Sequence, residues 1–133
     1  IAIVSSNSGF ITLVATGSMV KTALDISAVD DRISTVISAP CLKPYSGRDF
    51  RALFSGKDNE LIIVLEEHSI FGGLGSIVCE IASEFCLGKV LRIGVNDRFS
   101  KNCGSYNYLL REHGLDKLSI QQKIENFVKG LRA

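Results

Sequence analysis

The sequence predicts an α/β fold in which a mostly parallel sheet carries helices on both faces. Five short apolar runs alternate with helical patterns, which is typical of βαβ units. The run LIIVL, residues 61–65, is apolar at every position, as expected for a strand that is covered on both faces. At 133 residues the chain has the length of one domain, so we expect a single domain over residues 1–133.

Strands are predicted where apolar runs are bounded by turn residues, at residues 1–4, 10–15, 33–37, 61–65 and 90–95. A first helix follows the segment ATGS, with Ser18 as its predicted N-cap. The clearest helix carries a stripe of apolar side chains at spacings of three and four, formed by Leu74, Ile77, Val78, Ile81, Ala82 and Phe85. This face is expected to pack against the sheet.

Two further helices are predicted near the end of the chain. Leu109 and Leu110 lie on a short helix that Gly114 can close as a C-terminal cap. Ser119 and Gln122 have the spacing of a capping box, which predicts the start of the last helix. The predicted buried stripe of that helix consists of Ile120, Ile124, Phe127, Val128 and Leu131.

Charge and hydropathy exclude several classes of partner. Fifteen basic against 14 acidic side chains give a formal charge of +1, which offers no electrostatic footprint for nucleic acid or an anionic membrane. No apolar run approaches the ~20 residues that cross a bilayer, and no export signal opens the chain. We therefore expect a soluble, cytoplasmic protein.

The hydrophobic fraction is 46%, which is high for an independent soluble domain. Together with Ile1 at the first position it favours a fragment or subunit of a larger enzyme, although tag removal or processing would leave the same start. The four cysteines, Cys41, Cys79, Cys86 and Cys103, include no C-x-x-C pair, so we expect buried free thiols.

Candidate sites are expected at the carboxyl ends of the strands. The first comprises Thr16, Gly17 and Ser18, where a strand turns into a helix. Free amides at this helix start could hold an anion. Alternatively, Gly17 permits a tight turn and Ser18 caps the helix.

The second candidate is the polar stretch after the LIIVL strand, formed by Glu66, Glu67, His68, Gly72, Gly73 and Gly75. A carboxylate beside an imidazole could perform general acid–base chemistry. A dinucleotide fingerprint is excluded because Val78 occupies the place of the third glycine. In the other interpretation, amides at the start of the following helix donate hydrogen bonds to one of the carboxylates, and the glycines permit close backbone approach.

The third candidate is the polar loop at residues 94–106, where Asp97 and Arg98 could form an ion pair and Lys101 adds charge. Cys103 has no neighbouring base and is interpreted as structural. No G-x-S-x-G elbow presents a serine, which disfavours a hydrolase.

The blocks VATGS, EEH with GGLGS, and GVNDRF with a later GLD occur in this order. In combination they resemble the C-terminal domain of the transketolase family of thiamine diphosphate enzymes, over about residues 3–128. Similar blocks occur in 1-deoxyxylulose-5-phosphate synthase and in the β subunits of 2-oxo acid dehydrogenases. His68 after two glutamates favours the transketolase branch, which includes split transketolases whose C-terminal half is a separate polypeptide.

The resemblance implies a three-layer αβα sandwich with a mixed five-stranded sheet whose first strand is antiparallel. It implies that the complete enzyme transfers two-carbon ketol units between sugar phosphates, using thiamine diphosphate and a divalent metal such as Mg²⁺. The family's diphosphate-binding segment, G-D-G followed by a distant asparagine, has no match here, and the glutamate that activates the cofactor belongs to the middle domain. The chain alone is therefore expected to bind no cofactor or metal and to contain no catalytic residue.

The resemblance also implies a role in assembly. We expect Glu66, Glu67, His68 and the turn at residues 72–75 to form a joint with the pyrimidine-binding domain or a second subunit, within a homodimer or heterotetramer. The alternative is a non-catalytic module that binds a small anion or another protein.

Overall fold

The computed structural model describes residues 1–43, 47–54 and 61–132, with the side chain of Arg132 excepted. The elements are β1 Ala2–Ser6, β2 Ile11–Ala15, α1 Met19–Ser27, β3 Ile33–Ser38, α2 Gly47–Ala52, β4 Leu61–Ser69, α3 Leu74–Phe85, β5 Lys89–Val95, α4 Tyr106–His113 and α5 Lys117–Arg132. The five predicted strands and four predicted helices are confirmed, with shifted ends. Helix α2 was not predicted.

The strands form one sheet in the order β1-β3-β2-β4-β5. β1 pairs with β3 in the antiparallel sense, and the other three pairings are parallel. The mixed sheet implied by the family resemblance is therefore confirmed. Connections from β2 and β4 run towards opposite edges, so the carboxyl ends of these two neighbours flank a topological switch point.

Two apolar cores cover the two faces of the sheet, which gives three layers. Leu61, Ile63 and Leu65 of β4 face a core shared with α1 and α5. Ile62 and Val64 face a second core shared with α2 and α3. All five side chains are fully buried. The uninterrupted apolar run thus reflects a strand that is covered on both faces.

The predicted capping box at the last helix is wrong, because α5 begins two residues before Ser119. The cap is Asp116, whose carboxylate accepts hydrogen bonds from the Ser119 amide (3.3 Å) and hydroxyl (2.6 Å). Gln122 instead donates to Asn126 on the helix surface. Burial acts to raise the pKa of Asp116, but the hydrogen bonds, led by that from Ser119, lower it below its ordinary value. The predicted cap at Gly114 is confirmed, whereas Leu131 of the predicted stripe is exposed.

Replacing Asp116 by alanine is expected to destabilise the chain by about 1 kcal/mol, because the first turn of α5 loses its carboxylate cap. Since the pKa of Asp116 is lowered in the fold, this contribution is present above the unfolded pKa of about 4 and is lost as the pH falls below it. Denaturant unfolding at neutral pH measures the loss. Gln122→Ala is the control and is expected to change stability by less than about 0.5 kcal/mol. A larger loss for Gln122→Ala than for Asp116→Ala would instead support the predicted capping box.

The cysteines are free, as predicted, but the expectation that they are buried is wrong for three of them. Cys41, Cys86 and Cys103 are exposed, and only Cys79 is half-buried. Burial raises the pKa of the Cys79 thiol. Among the described residues, no helix is long and apolar enough to span a membrane.

Candidate functional site

The three polar segments predicted from the sequence meet at the carboxyl edge of the sheet. The amide of Thr16, after β2, donates to the carbonyl of Leu65 in β4 at 3.3 Å. The amide of Ile70, after β4, donates to the carbonyl of Val95 at the end of β5 at 3.0 Å. This edge, with the first turns of α1, α3 and α4, is the candidate site.

Glu66 caps helix α3 from the neighbouring strand. Its side chain is buried, and its two carboxylate oxygens accept hydrogen bonds from the amides of Leu74 (2.7 Å) and Gly75 (2.9 Å). Gly73 occupies the N-cap position and has no side chain to perform this function. The carboxylate therefore satisfies two otherwise free amides and lies at the positive end of the helix dipole. The local interpretation made from the sequence holds for this glutamate.

Three glycines make room for the Glu66 side chain. A Cβ added at Gly73 would lie 2.1 Å from Glu66 Oε2, and one at Gly75 would lie 3.0 Å from Oε1. Gly94 in β5 was predicted only as the first residue of the polar loop, yet a Cβ there would lie 3.2 Å from Glu66 Cγ and 2.7 Å from the carbonyl oxygen of His68. A glycine within a strand often marks such a close approach, and that signal could have identified Gly94.

The turn that follows β4 is held by polar contacts. Gly72 has a φ of 76°, a left-handed conformation that favours glycine. Its amide donates to Ser76 Oγ at 2.9 Å. Arg92 of β5, which sequence reasoning missed, donates from Nη1 to the carbonyl of Ile70 at 2.7 Å, and its guanidinium lies 5.7 Å from the ring centroid of Phe71.

Glu67 and His68 are exposed at the site. Glu67 accepts a hydrogen bond from the hydroxyl of Tyr106. His68 Nδ1 lies 2.9 Å from the carbonyl oxygen of Ser69. Because that oxygen can only accept, Nδ1 carries the proton and donates it. Neither glutamate is hydrogen-bonded to His68 among the contacts of the described residues, which favours a structural over a general acid–base interpretation.

The hydrogen bond to Glu67 raises the pKa of Tyr106, and the weaker influence of Ser18 opposes it. We expect Glu67→Gln to lower this pKa towards the ordinary value of about 10. The contribution of the bond to stability is present below that value and is lost as the pH rises through the pKa of the folded state. NMR titration of ¹³C-labelled tyrosine, with Glu80→Gln as the exposed control, measures the shift; an unchanged Tyr106 titration in Glu67→Gln would contradict the pairing.

The anion candidate at Thr16, Gly17 and Ser18 forms a tight turn. Gly17 has a φ of 57°, and its carbonyl accepts from the amide of Val20 at 3.2 Å. The amide of Met19 donates to the carbonyl of Thr16 at 3.2 Å. Ser18 occupies the N-cap position but makes no side-chain capping bond. Two amides of the first turn are therefore already used, and the anion site remains a prediction.

The predicted pairing of Asp97 with Arg98 is replaced by contacts with α4. Arg98 Nη2 donates to the carbonyl of Glu112, and the amide of Lys101 donates to the Glu112 carboxylate at 2.5 Å. This amide is the main cause of the lowered pKa of Glu112. The loop is thereby fastened to the last turn of α4.

A shallow apolar pocket of about 190 Å³ lies beside Tyr106, and it is lined by Glu67, Val95, Tyr106, Leu109, Leu110, His113 and Leu115. In the described part of the chain, no group of three or more His, Cys, Asp or Glu side chains is arranged to hold a metal ion. The site thus offers apolar contacts and a few hydrogen-bonding groups.

Comparison with known families identifies the family of this chain. The family model described as "Transketolase, C-terminal domain" matches residues 2–120. The chain belongs to this family. The αβα fold is that of a transketolase C-terminal domain, since a solved structure titled "Split gene transketolase, inactive beta4 tetramer" matches with a TM-score of 0.74 and 30% identity, covering 90% of this chain and 40% of that one.

Curated relatives of this transketolase C-terminal domain belong to more than one enzyme. A "Putative transketolase C-terminal section" of Methanocaldococcus jannaschii is 35% identical over 123 residues, which are 90% of this chain and 37% of the relative. A subunit of an apulose-4-phosphate transketolase of Actinobacillus succinogenes is 36% identical, over 84% and 37% of the two chains. A "1-deoxy-D-xylulose-5-phosphate synthase" of Nitrosomonas eutropha is 33% identical, over 86% and 18%. The chain therefore spans well under half the length of these relatives.

Proposed function

We propose that this chain is the assembly domain of a transketolase-like enzyme that transfers two-carbon ketol units between sugar phosphates. The observation that carries the proposal is the engagement of both glutamates at the carboxyl edge: Glu66 caps α3 and Glu67 accepts from Tyr106. Carboxylates that already accept hydrogen bonds from the protein stabilise the structure of this surface. They are poorly placed to exchange protons with a substrate. The proposed reaction class is supported by the family membership and by the two transketolase relatives.

In this proposal, thiamine diphosphate and its divalent metal are held by other domains of the enzyme. The described residues contain no three-membered metal-binding group, and the first-turn amides of α1 and α3 are occupied by carbonyls and by Glu66. These residues do not fit a metal–diphosphate pair. We therefore assign this chain no step of the chemistry and expect it to be inactive alone.

The partners proposed for this domain are the thiamine diphosphate-binding domains or subunit of the same enzyme, in a homodimer or heterotetramer. The split transketolase and the apulose-4-phosphate transketolase relative support such an assembly, because their names describe multi-chain proteins. Of the six residues predicted for the joint, Glu66, Gly73 and Gly75 are buried within this domain. They lie beneath the surface and stabilise it. Glu67, His68 and Gly72 are exposed and available for direct contact.

The proposal is tested by measuring the solution mass of the chain, alone and mixed with the remaining transketolase domains from the same genome, together with transketolase activity. We expect a complex, and activity only in the mixture. In the complete enzyme, His68→Ala should weaken assembly more than it lowers the turnover number of the assembled fraction. Lys129→Ala on α5 is the surface control. A normal assembly with a collapsed turnover number in His68→Ala would contradict the joint.

A second candidate is the corresponding domain of 1-deoxyxylulose-5-phosphate synthase, favoured by the 33% identity over 86% of this chain. The same mixture distinguishes the two when 1-deoxyxylulose 5-phosphate is assayed as a product. Its formation, without ketol transfer between sugar phosphates, would replace the first candidate by the second.

A further inference from the structure

Two phenylalanine side chains are exposed at the carboxyl edge. Phe99 is 96% exposed and Phe71 is 57% exposed. They follow β5 and β4, which are neighbours in the parallel part of the sheet. A single exposed apolar residue is ordinary on a protein surface. The unusual feature is the way in which polar contacts hold the two loops that carry these rings.

The loop around Phe99 is fastened on both sides of the ring. Before it, Arg98 donates to the main-chain carbonyl of Glu112. After it, Ser100 Oγ lies 2.8 Å from His113 Nε2. Both partners belong to the last turn of α4, so one helix end contacts the two residues that flank the ring. The loop that presents Phe99 is thus anchored to α4 by the side chains on either side of the ring.

The turn around Phe71 is fastened in the same manner. Arg92 Nη1 donates to the carbonyl of Ile70 before the ring, at 2.7 Å. The amide of Gly72 after the ring donates to Ser76 Oγ at 2.9 Å. The Arg92 guanidinium lies 5.7 Å from the Phe71 centroid, within the range of a cation–π contact. The residues on both sides of each ring are therefore anchored to neighbouring elements, and the Phe71 ring itself also contacts Arg92.

We propose that Phe71 and Phe99, together termed the aromatic edge, are the anchors through which this domain docks onto the cofactor-binding part of its enzyme. This inference rests on the proposed function and names the contact residues. Aromatic side chains on anchored loops bind with a smaller loss of loop entropy, and aromatic anchors commonly dominate interface energies. The occupant presents two apolar sockets.

Two observations favour the cofactor-binding part as the occupant. The greater part of each relative lies outside the matched region, and the matched family is a C-terminal domain, so its relatives carry a large body of protein for this surface to contact. The charges beside Phe99 are mixed, with Asp97, Arg98 and Lys101 adjacent in sequence. Mixed charge does not favour nucleic acid or an anionic membrane.

The test measures the affinity of the chain for the remaining transketolase domains from the same genome, produced as a separate polypeptide, by sedimentation velocity. Phe71→Ser and Phe99→Ser are each expected to weaken binding about 10- to 30-fold, and the double variant at least about 100-fold. Leu118→Ser is the control, because Leu118 is 77% exposed on α5 beside Val29, away from the carboxyl edge. It should bind as the wild type does. Melting temperatures identify any variant that is unfolded.

The outcomes separate this inference from the proposed function. If the wild type binds and the folded double variant binds within about twofold of it, the aromatic edge is wrong and the assembly role stands. If the wild type does not bind, the proposed function fails and the inference fails with it. If the wild type forms dimers that the double variant loses, the occupant is a second copy and the assignment to the cofactor-binding part is overturned.

Discussion

Replacing Glu66 by alanine is expected to destabilise the chain by about 2 to 5 kcal/mol, because two buried amides at the start of α3 lose their acceptors. These amides belong to Leu74 and Gly75, and they donate to the carboxylate at 2.7 and 2.9 Å. Both residues are buried, so water cannot easily replace the lost oxygens. Chemical denaturation followed by circular dichroism measures the change.

Glu66→Gln tests whether the two carboxylate acceptors, or only the volume of the side chain, account for the contribution of Glu66 to stability. Glutamine keeps one oxygen but turns an amide donor towards a backbone donor, which should cost about 1 to 3 kcal/mol. The adjacent Glu67 is a matched control, since it is exposed and Glu67→Ala should cost less than about 1 kcal/mol. Equal effects of alanine at positions 66 and 67 would mean that the capping role is wrong.

Gly73→Ala is expected to have the second largest effect, a loss of about 2 to 4 kcal/mol of unfolding free energy. The new Cβ would lie 2.1 Å from Glu66 Oε2 and 2.7 Å from His68 Nδ1. The backbone of Gly73 is extended, with a φ of −93°, so it does not require glycine and the expected cost arises mainly from the collision. The carboxylate has to move, and its hydrogen bond to the helix start is weakened.

Two comparisons isolate this collision. Gly130→Ala changes a helical glycine that has nothing within 4 Å of an added Cβ, and it should stabilise α5 by about 0.5 to 1 kcal/mol. In the Glu66→Ala background the oxygen is absent, so Gly73→Ala should cost at least about 1 kcal/mol less than in the wild type. Additive effects of the two substitutions would show that Gly73 and Glu66 do not interact through this contact.

Local patterns predicted most of the fold. The LIIVL run required apolar surroundings on both faces, and Leu61 to Leu65 are indeed buried between two cores. The apolar stripes located the helices because burial of one face follows the 3.6-residue period. The start of α5 was misplaced because serine and aspartate are both common N-cap residues, and the three-residue spacing from Ser119 to Gln122 favoured the wrong one. In the structure, Ser119 donates to Asp116.

The candidate site was only partly predictable. The Glu66 to Gly75 stretch could be interpreted locally, since strand, carboxylate and helix start are close in sequence. Tyr106, the hydrogen-bond partner of Glu67, lies 39 positions further along the chain. The two side chains meet only because α4 begins at the same edge of the sheet. Arg92 and Gly94 belong to a neighbouring strand, and their distances to the turn depend on the register of β4 and β5.

The sequence by itself determined the αβα class, the apolar runs that form the sheet and the family to which the chain belongs. These properties depend on the order and periodicity of side chains, which are local quantities. Tertiary structure decided which glutamate is buried and which is exposed, how the Phe71 and Phe99 loops are fastened, and which glycines contact Glu66. Each of these depends on contacts between segments far apart in the chain, and such contacts exist only once the parallel strands bring their carboxyl ends to one edge.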